Sequence, residues 1–596
     1  MLPLPLVCLA AAIAAILPTA TIESQSPPQT QPDYAWEASQ KVHRDLLALK
    51  LSDKVDVEFY SNELHSRAGL DLSSLQRILD RATAVRPMVT GVPRQLLDDW
   101  HAAARAAKRP GPPPGHLAHW FFVQGTSAAH TDQLREELRA HPLVVHCYRE
   151  PIPVPASAGA AMMPGDPLPP TPSYTSMQGN LGSHPNGTEL RWANGILGAR
   201  GRGVKIRMIE EDWVLDHEDI SQLVSNNFLG TVPPGTGNDA NHGVAGTSLM
   251  VADRNRWGLT GASDEVDIRF IAFPQSGGLV NAMITAAADE DPGDVIMMVV
   301  MLLLPPAQGG IAPNDWVPYE YVPAVFDAVA TTTAVGRIFV ATCANGGRSL
   351  DDPRFGGAFN RSVRDSGAIF VGATDGVNLV RASFSNFGNI VDSHCWGENV
   401  VAAGFGGLFF GNNDPRQSYT STYAGTSAST PILASCVAAL QGAAQQQLGQ
   451  RFTGTEVRTL LQTHGTTVSS IGRRPDMRAI FAATGILDGL ELSEPDLMPG
   501  NSLQVTVSQP GTIGGALLFA SLGTGNTDLG FNRAIHLDLA GTTTLDFLPL
   551  LGGQANFTVA VPNSAALSDV QLYLQAAILP VAGPLFVTNS GHLTVL

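Results

Sequence analysis

From Arg202 onward, mostly apolar runs alternate with helix-length stretches, and this alternation constrains the fold more than any other feature of the sequence. The runs are VKIRMI (204–209), VDIRFIAF (266–273), DVIMMVVMLLL (294–304), RIFVATC (337–343) and AIFVGAT (368–374). Segments such as VPAVFDAVATTTAVG (322–336) lie between them and read as helices. Continuous apolar runs belong to strands buried on both faces, so the pattern predicts a parallel sheet of the α/β kind, covered by helices. DVIMMVVMLLLPP is about half the length of a membrane span and ends in two prolines, so it is read as one core strand.

At 596 residues the chain should hold three or four structural units. Leu46, Leu47, Leu49, Leu64, Leu70, Leu75 and Ile78 are spaced among charges, which predicts a helical part between Tyr34 and Thr90. A basic, Pro-rich break, AAARAAKRPGPPPGH (102–116), follows. Then HWFFVQG (119–125) reads as a strand, TDQLREELRAHP (131–142) as a helix and LVVHCYRE (143–150) as a second strand. The Pro/Gly/Ala stretch 151–173 is an extended, exposed linker. After about Leu487 short runs such as SLQVTVSQ, ALLFASL, ANFTVAVP and VQLYLQAAI alternate with turns, the pattern of an all-β sandwich. The expected division is 1–20, 21–170, 175–487 and 488–596.

The net charge of −17 and the isoelectric point near 5.3 exclude nucleic acid and anionic membrane surfaces as partners. The first 20 residues are apolar and small and precede a polar stretch, which reads as a secretory signal peptide and an extracellular destination. Its start carries no Lys or Arg, the first basic residue being Lys41. Five cysteines are too few for a disulfide framework in a chain of this size. One pair is allowed, with Cys343 and Cys395 preferred.

Four short stretches can carry chemistry. In YAGTSASTP (423–431) a Gly-Thr pair leads into Ser427 at the start of an apolar helix, whose N–H groups face developing negative charge. Pro431 is placed in the first turn, where its missing N–H costs little. A simple helix cap explains the stretch almost as well. NHGVAGTSL (241–249) puts His242 at a helix start. IFVATCANGG (338–347) ends a buried strand at Asn345, an amide able to donate to an oxyanion or simply to form an Asn-Gly turn. VKIRMIEEDWVLDHEDI (204–220) is an apolar strand ending in three acids, one of which can orient an imidazole; a solvated acidic loop is the plain alternative.

The order acid, His, Asn, Ser is that of the subtilisin arrangement, and residues 175–485 resemble the subtilases, the subtilisin-like serine peptidases. GTSASTP is similar to their serine box, with Ser429 in the alanine place; HGVAGT is similar to their histidine box; TCANGG is similar to their Asn box, with Ala344 in the glycine place. The stretch His217-Glu218-Asp219-Ile220 resembles the segment that follows their triad acid by seven residues, which points to Glu210 instead of the usual aspartate. Asp212 is the runner-up.

The resemblance implies an α/β subtilisin-like domain and peptide-bond hydrolysis by Ser427, His242 and Glu210, with Asn345 in the oxyanion hole. It also implies stretches near 294–304 and 344–347 lining the cleft, and a precursor whose pro-region (119–154 being faintly similar) inhibits the enzyme until cut within 151–173. No metal or organic cofactor is called for; structural calcium occurs in the family, but no Asp-rich loop here demands it. The partners implied are a protein or peptide substrate and the chain's own pro-region. The replaced acid motivates a second reading, an inactive subtilase fold kept for binding or adhesion.

Overall fold

A computed structural model of the chain describes residues 34–38, 41–61, 63–153, 171–304, 315–530 and 532–596. The expected signal segment and most of the 151–173 linker fall outside them.

The apolar runs form a central sheet. Strands β5 (Lys205–Glu210), β6 (Asp267–Ala272), β7 (Val295–Met298), β10 (Ile338–Thr342), β11 (Ile369–Thr374) and β12 (Val391–Trp396) lie in the order β6-β5-β7-β10-β11-β12, all parallel. A short hairpin, Gly465–Thr467 with Arg473–Pro475, extends the sheet beyond β12. Alternate residues of each strand enter different cores. Val295, Met297, Ile338 and Val340 pack with helices α1 (Gly237–Val251) and α4 (Thr426–Leu448). Ile296, Met298, Phe339 and Ala341 pack with α2 (Leu279–Ala288) and α3 (Pro323–Ala334). Both faces being covered, the strands are mostly apolar, as the sequence predicts.

The run 294–304 is not one strand. It breaks after β7, and its second half, β8 (Met301–Leu304), turns out of the sheet to pair antiparallel with β9 (Asp315–Pro318).

The region before the linker holds a four-stranded antiparallel sheet of β1 (Val42–Leu51), β2 (Ala84–Pro87), β3 (Trp120–Gln124) and β4 (Val144–Pro151), in the order β2-β3-β1-β4. The expected strand–helix–strand is present, its helix running Ala128–Ala140. The helical reading of 34–90 fails for most of its length. Residues 42–51 are strand, 57–60 and 63–66 a hairpin, and among the described residues of that stretch the α-helix is Ser73–Leu79. A second helix, Arg94–Ala106, covers the first residues of the stretch expected to be a Pro-rich break.

Leu47, Leu49, Phe121, Val123 and Cys147 on one face of this sheet pack against its own helices. Trp120, Phe122 and Tyr148 on the other join the core of α2 and α3. Polar contacts fix the docking: Asn281 Oδ1 accepts from the Thr90 and Gly91 amides at 2.9 and 3.3 Å. Asp327 accepts from the Gly115 amide at 2.8 Å and from Trp120 Nε1 at 2.9 Å.

The C-terminal region is a β-sandwich. The strands Leu490–Leu492, Ser502–Ser508 and Gln554–Ala560 form one sheet, and a second is built around Gly514–Ser521, Thr543–Pro549, Gln571–Pro580 and Gly591–Val595. Leu503, Val505 and Phe557 of the first meet Leu518, Leu574 and Ile578 of the second in one core. The sandwich is hydrogen-bonded to the central domain: the Leu197 amide donates to Ser590 O, the His592 amide to Gly195 O, and the Gln447 side chain to Leu197 O and Ser590 O.

Cys343 and Cys395 are not bonded; both thiols are free and buried. The reason is topological. Cys395 lies on β12 and Cys343 just past β10, with β11 between them. Two strand spacings separate such positions by about 10 Å, beyond the reach of a disulfide. Among the described residues no helix is long and apolar enough to cross a membrane.

Candidate active site

Glu210 is the last residue of β5 and is fully buried. Parallel strands deliver their final side chains to the crevice at the carboxyl edge of the sheet, where α/β domains bind ligands. Helix α1 crosses this edge and brings His242, also fully buried, to the carboxylate, with Nδ1 3.1 Å from Oε2. Glu210 Oε1 accepts from the Glu211 amide at 3.3 Å. His242 lies in the second turn of α1, which begins at Gly237, and not at its start.

Gly243 makes the close approach workable: a Cβ there would sit 2.1 Å from the Asp212 carbonyl oxygen. One turn on, Thr247 Oγ1 accepts from Trp213 Nε1 at 3.1 Å, which pins α1 to the segment following β5.

Asp212 does not face the histidine. Its carboxylate accepts from the Trp213 and Gly235 amides at 2.7 and 2.9 Å on one oxygen, and from the Thr236 amide at 3.0 Å on the other. It thus holds the approach to α1. Burial raises its pKa, and these three amides pull the other way. The His217–Ile220 stretch is equally structural: His217 Nε2 lies 3.0 Å from Ser418 O, and Asp219 accepts from the Leu259 amide at 2.6 Å.

Ser427 is the second residue of α4, after Gly425 at the N-cap with φ +103°. The helix N-terminus sets the Ser427 amide next to its own hydroxyl, while the neighbouring Thr426 and Ala428 amides donate to Asn345 Oδ1 and the Gly425 carbonyl. Pro431 is the sixth helical residue, so it lies beyond the first turn expected for it. Its ring nitrogen therefore cannot donate to the Ser427 carbonyl four residues back.

Asn345 is fixed from behind, where its Oδ1 accepts from the Thr426 amide at 3.0 Å and from Thr426 Oγ1 at 2.8 Å. With the oxygen so occupied, Nδ2 is turned to the serine side. A Cβ placed on Gly425 would lie 3.1 Å from Asn345 Nδ2 and 3.7 Å from Ser427 Oγ, so glycine leaves open the space that both atoms face. Ala344 holds φ +70° just before Asn345, a left-handed conformation at the family's glycine place.

Sequence reasoning names Glu210, His242, Asn345 and Ser427, with Asp212 as runner-up acid, which the structure holds by three backbone amides instead. It misses Thr426 as the group that aims the amide, and Tyr423, whose ring meets the His242 imidazole edge-on at 5.8 Å. Tyr423 and Thr426 both flank the serine within a motif that was already singled out. His242 Nε2 and Ser427 Oγ are buried and make no hydrogen bond among the described residues. An imidazole that gives its Nδ1 proton to a carboxylate offers Nε2 as a base. Helix α1, which carries His242, packs against α4, whose first turn carries the Ser427 hydroxyl and, through Thr426, holds the oriented Asn345 amide. Together these can abstract a hydroxyl proton and receive a tetrahedral oxyanion.

Residues 201–477 match the model of the subtilase family, and the central domain has the subtilisin-like α/β fold. Among solved structures, the epidermin leader peptide processing serine protease EpiP of Staphylococcus aureus is similar at 16% identity and a TM-score of 0.44, covering 74% of this chain and 98% of its own. A serine protease of Aeromonas sobria is similar at 14% identity and a TM-score of 0.39, over 73% of this chain and 98% of its own. The MycP3 protease of a type VII secretion system follows at 17% identity and 0.36, over 55% and 93%. No curated protein matches the chain in sequence.

Proposed function

We propose that this chain is a secreted serine endopeptidase, made as a self-processing precursor, that cleaves peptide bonds with a Ser-His-Glu triad. The observation that carries the reading is the buried Glu210–His242 contact at 3.1 Å, on a helix that packs against α4, whose second residue is Ser427. Ser427 Oγ attacks the scissile carbonyl carbon as His242 Nε2 takes its proton, and the carbonyl oxygen becomes the oxyanion. Asn345 Nδ2 and the Ser427 amide bind that oxyanion, each such donor being worth about 3 kcal/mol. The C–N bond breaks as the imidazolium returns its proton to the leaving amine. Water then attacks the acyl-enzyme by the same route, releasing the acid and restoring the serine. Glu210 keeps the proton on Nδ1 and stabilises the imidazolium. The chemistry uses side chains and amides alone, with no metal or organic cofactor.

The region before the linker acts as the intramolecular inhibitor. In support, its sheet covers α2 and α3, and its last strand, β4, ends with Pro151 O accepting from Tyr319 OH at 3.0 Å. The chain then enters the linker in which maturation cuts. The β-sandwich acts as a stabilising module.

Labelling with a fluorophosphonate probe tests the reading. Wild-type protein should label and cleave casein, and Ser427→Ala should do neither. The competing reading, an inactive subtilase fold for binding or adhesion, draws on the lack of a hydrogen bond between Ser427 Oγ and His242 Nε2. Failure of the mature wild type to label selects it.

A further inference from the structure

We propose that Met301 closes the pocket for the side chain on the acyl side of the scissile bond, so that the enzyme cuts after glycine, alanine or serine. This rests on the peptidase reading above. β7 and β10 are neighbours in the sheet, paired from Val295↔Ile338 to Met298↔Ala341. Past these pairs the two chains leave the ladder, as residues 299–301 on one side and 343–346 on the other. These are the stretches that the resemblance implies as cleft walls, and we place the side chain of the residue whose carbonyl lies at Ser427 and Asn345 in the gap between them, at the strands' carboxyl ends.

Met301 occupies that gap. It is 2% exposed, and its Sδ accepts from the backbone amide of Asn345 at 3.2 Å. The thioether therefore lies against the backbone of the residue that supplies the oxyanion donor.

The walls leave little room for it to retreat. Met301 is paired with Pro318 across the β8–β9 hairpin. β9 backs onto the oxyanion segment, since a Cβ at Gly346 would come within 2.5 Å of the Trp316 carbonyl oxygen. That oxygen accepts from Asn386 Nδ2 at 2.6 Å. Asp315, 3% exposed, anchors the strand by accepting from Arg348 Nε and Arg354 Nη1, each at 2.9 Å. An unbranched methionine fills an irregular gap well. A small side chain asks little of this space, whereas leucine or phenylalanine must displace Met301.

The test uses mature wild type and Met301→Gly on a pool of synthetic peptides carrying every residue type, with cleavage sites read by mass spectrometry. Fluorophosphonate labelling is measured on both proteins. Wild type should cut at least tenfold faster after Gly, Ala or Ser than after Leu or Phe, and Met301→Gly should reduce or invert that ratio. If Met301→Gly fails to fold, the wild-type profile and Met301→Val decide, the latter extending the small-residue set without admitting Phe. A labelled wild type that prefers Leu or Phe overturns the inference and leaves the peptidase reading intact. So does a labelled variant with an unchanged profile. Absence of labelling in both overturns the peptidase reading, and this inference with it.

Discussion

Glu210 and His242 meet through Oε2 and Nδ1 at 3.1 Å, with neither side chain exposed to solvent. The contact joins the end of β5 to the second turn of α1, and Asp212, two residues on, is instead occupied by three backbone amides. Glu210→Gln keeps the size of the side chain but offers an amide group that competes for the wrong tautomer. Turnover should fall by about 10⁴-fold, as wrong-tautomer variants of such triads do. Glu210→Asp draws the carboxylate back by about one methylene and should cost less, on the order of 10²-fold. Steady-state kcat on a peptide substrate checks both.

Asn345 owes its orientation to Thr426, which occupies its oxygen twice. Asn345→Ala should lower kcat by about 10²–10³-fold while KM changes little, since the donor acts on charge that develops only in the transition state. Asn345→Asp should be at least as damaging, because it sets a carboxylate where the oxyanion forms. A loss that fell on KM alone would show Asn345 to be a ground-state contact.

How much of this was legible depends on what each stretch packs against. β5, β10 and β11 were readable because burial on both faces leaves continuous apolar runs. The pairing of Glu210 with His242 was readable because the resemblance of His217–Ile220 picks out the residue seven places earlier. β1 was misread for a related reason: Leu47, Leu49 and Leu51 face its own helices while Ala48 faces the core of α2 and α3. With both faces apolar, the two-residue period disappears and the leucines imitate a helix. Met301 was hidden in the run 294–304, because nothing in a string of apolar residues marks where the chain leaves the sheet.

Glu211 follows Glu210 in the chain and is held at a pKa of about 7, first by burial and then by Asp239, Glu210 and Asp212, with Lys41 opposing. An acid whose folded pKa is raised binds its proton more tightly when folded. Its stabilising share is thus complete below the ordinary value of 4.5 and is lost as pH rises to about 7. Glu211→Gln should remove that loss. Relative to a Ser427→Ala background, the variant should gain on the order of 1–2 kcal/mol at pH 8 and nothing at pH 4, since the site is partly screened by solvent. Urea unfolding at the two pH values measures the difference.

Asp264 couples the central domain to the sandwich. It accepts from Arg200 Nε at 3.0 Å and Arg254 Nη2 at 3.2 Å, while Arg200 also donates to Thr594 Oγ1 at 2.9 Å and Arg254 pairs with Asp496. Burial raises its pKa, but the Arg254 and Arg200 charges more than offset this and hold it well below the usual carboxylate range. A depressed acid contributes stability above its unfolded value of 3.8, and that share is lost as pH falls below it. Asp264→Ala leaves two buried guanidinium groups short of a partner and should cost about 3–5 kcal/mol at pH 7. The penalty should shrink as pH falls below 3.8, where the wild-type carboxylate begins to lose its advantage. Urea unfolding in the Ser427→Ala background at pH 7 and pH 3 tests this, with pulsed hydrogen exchange read by mass spectrometry on sandwich and central-domain peptides separately. A variant that loses only the sandwich transition would place the coupling at the interface; loss of both together would make the two regions one cooperative unit.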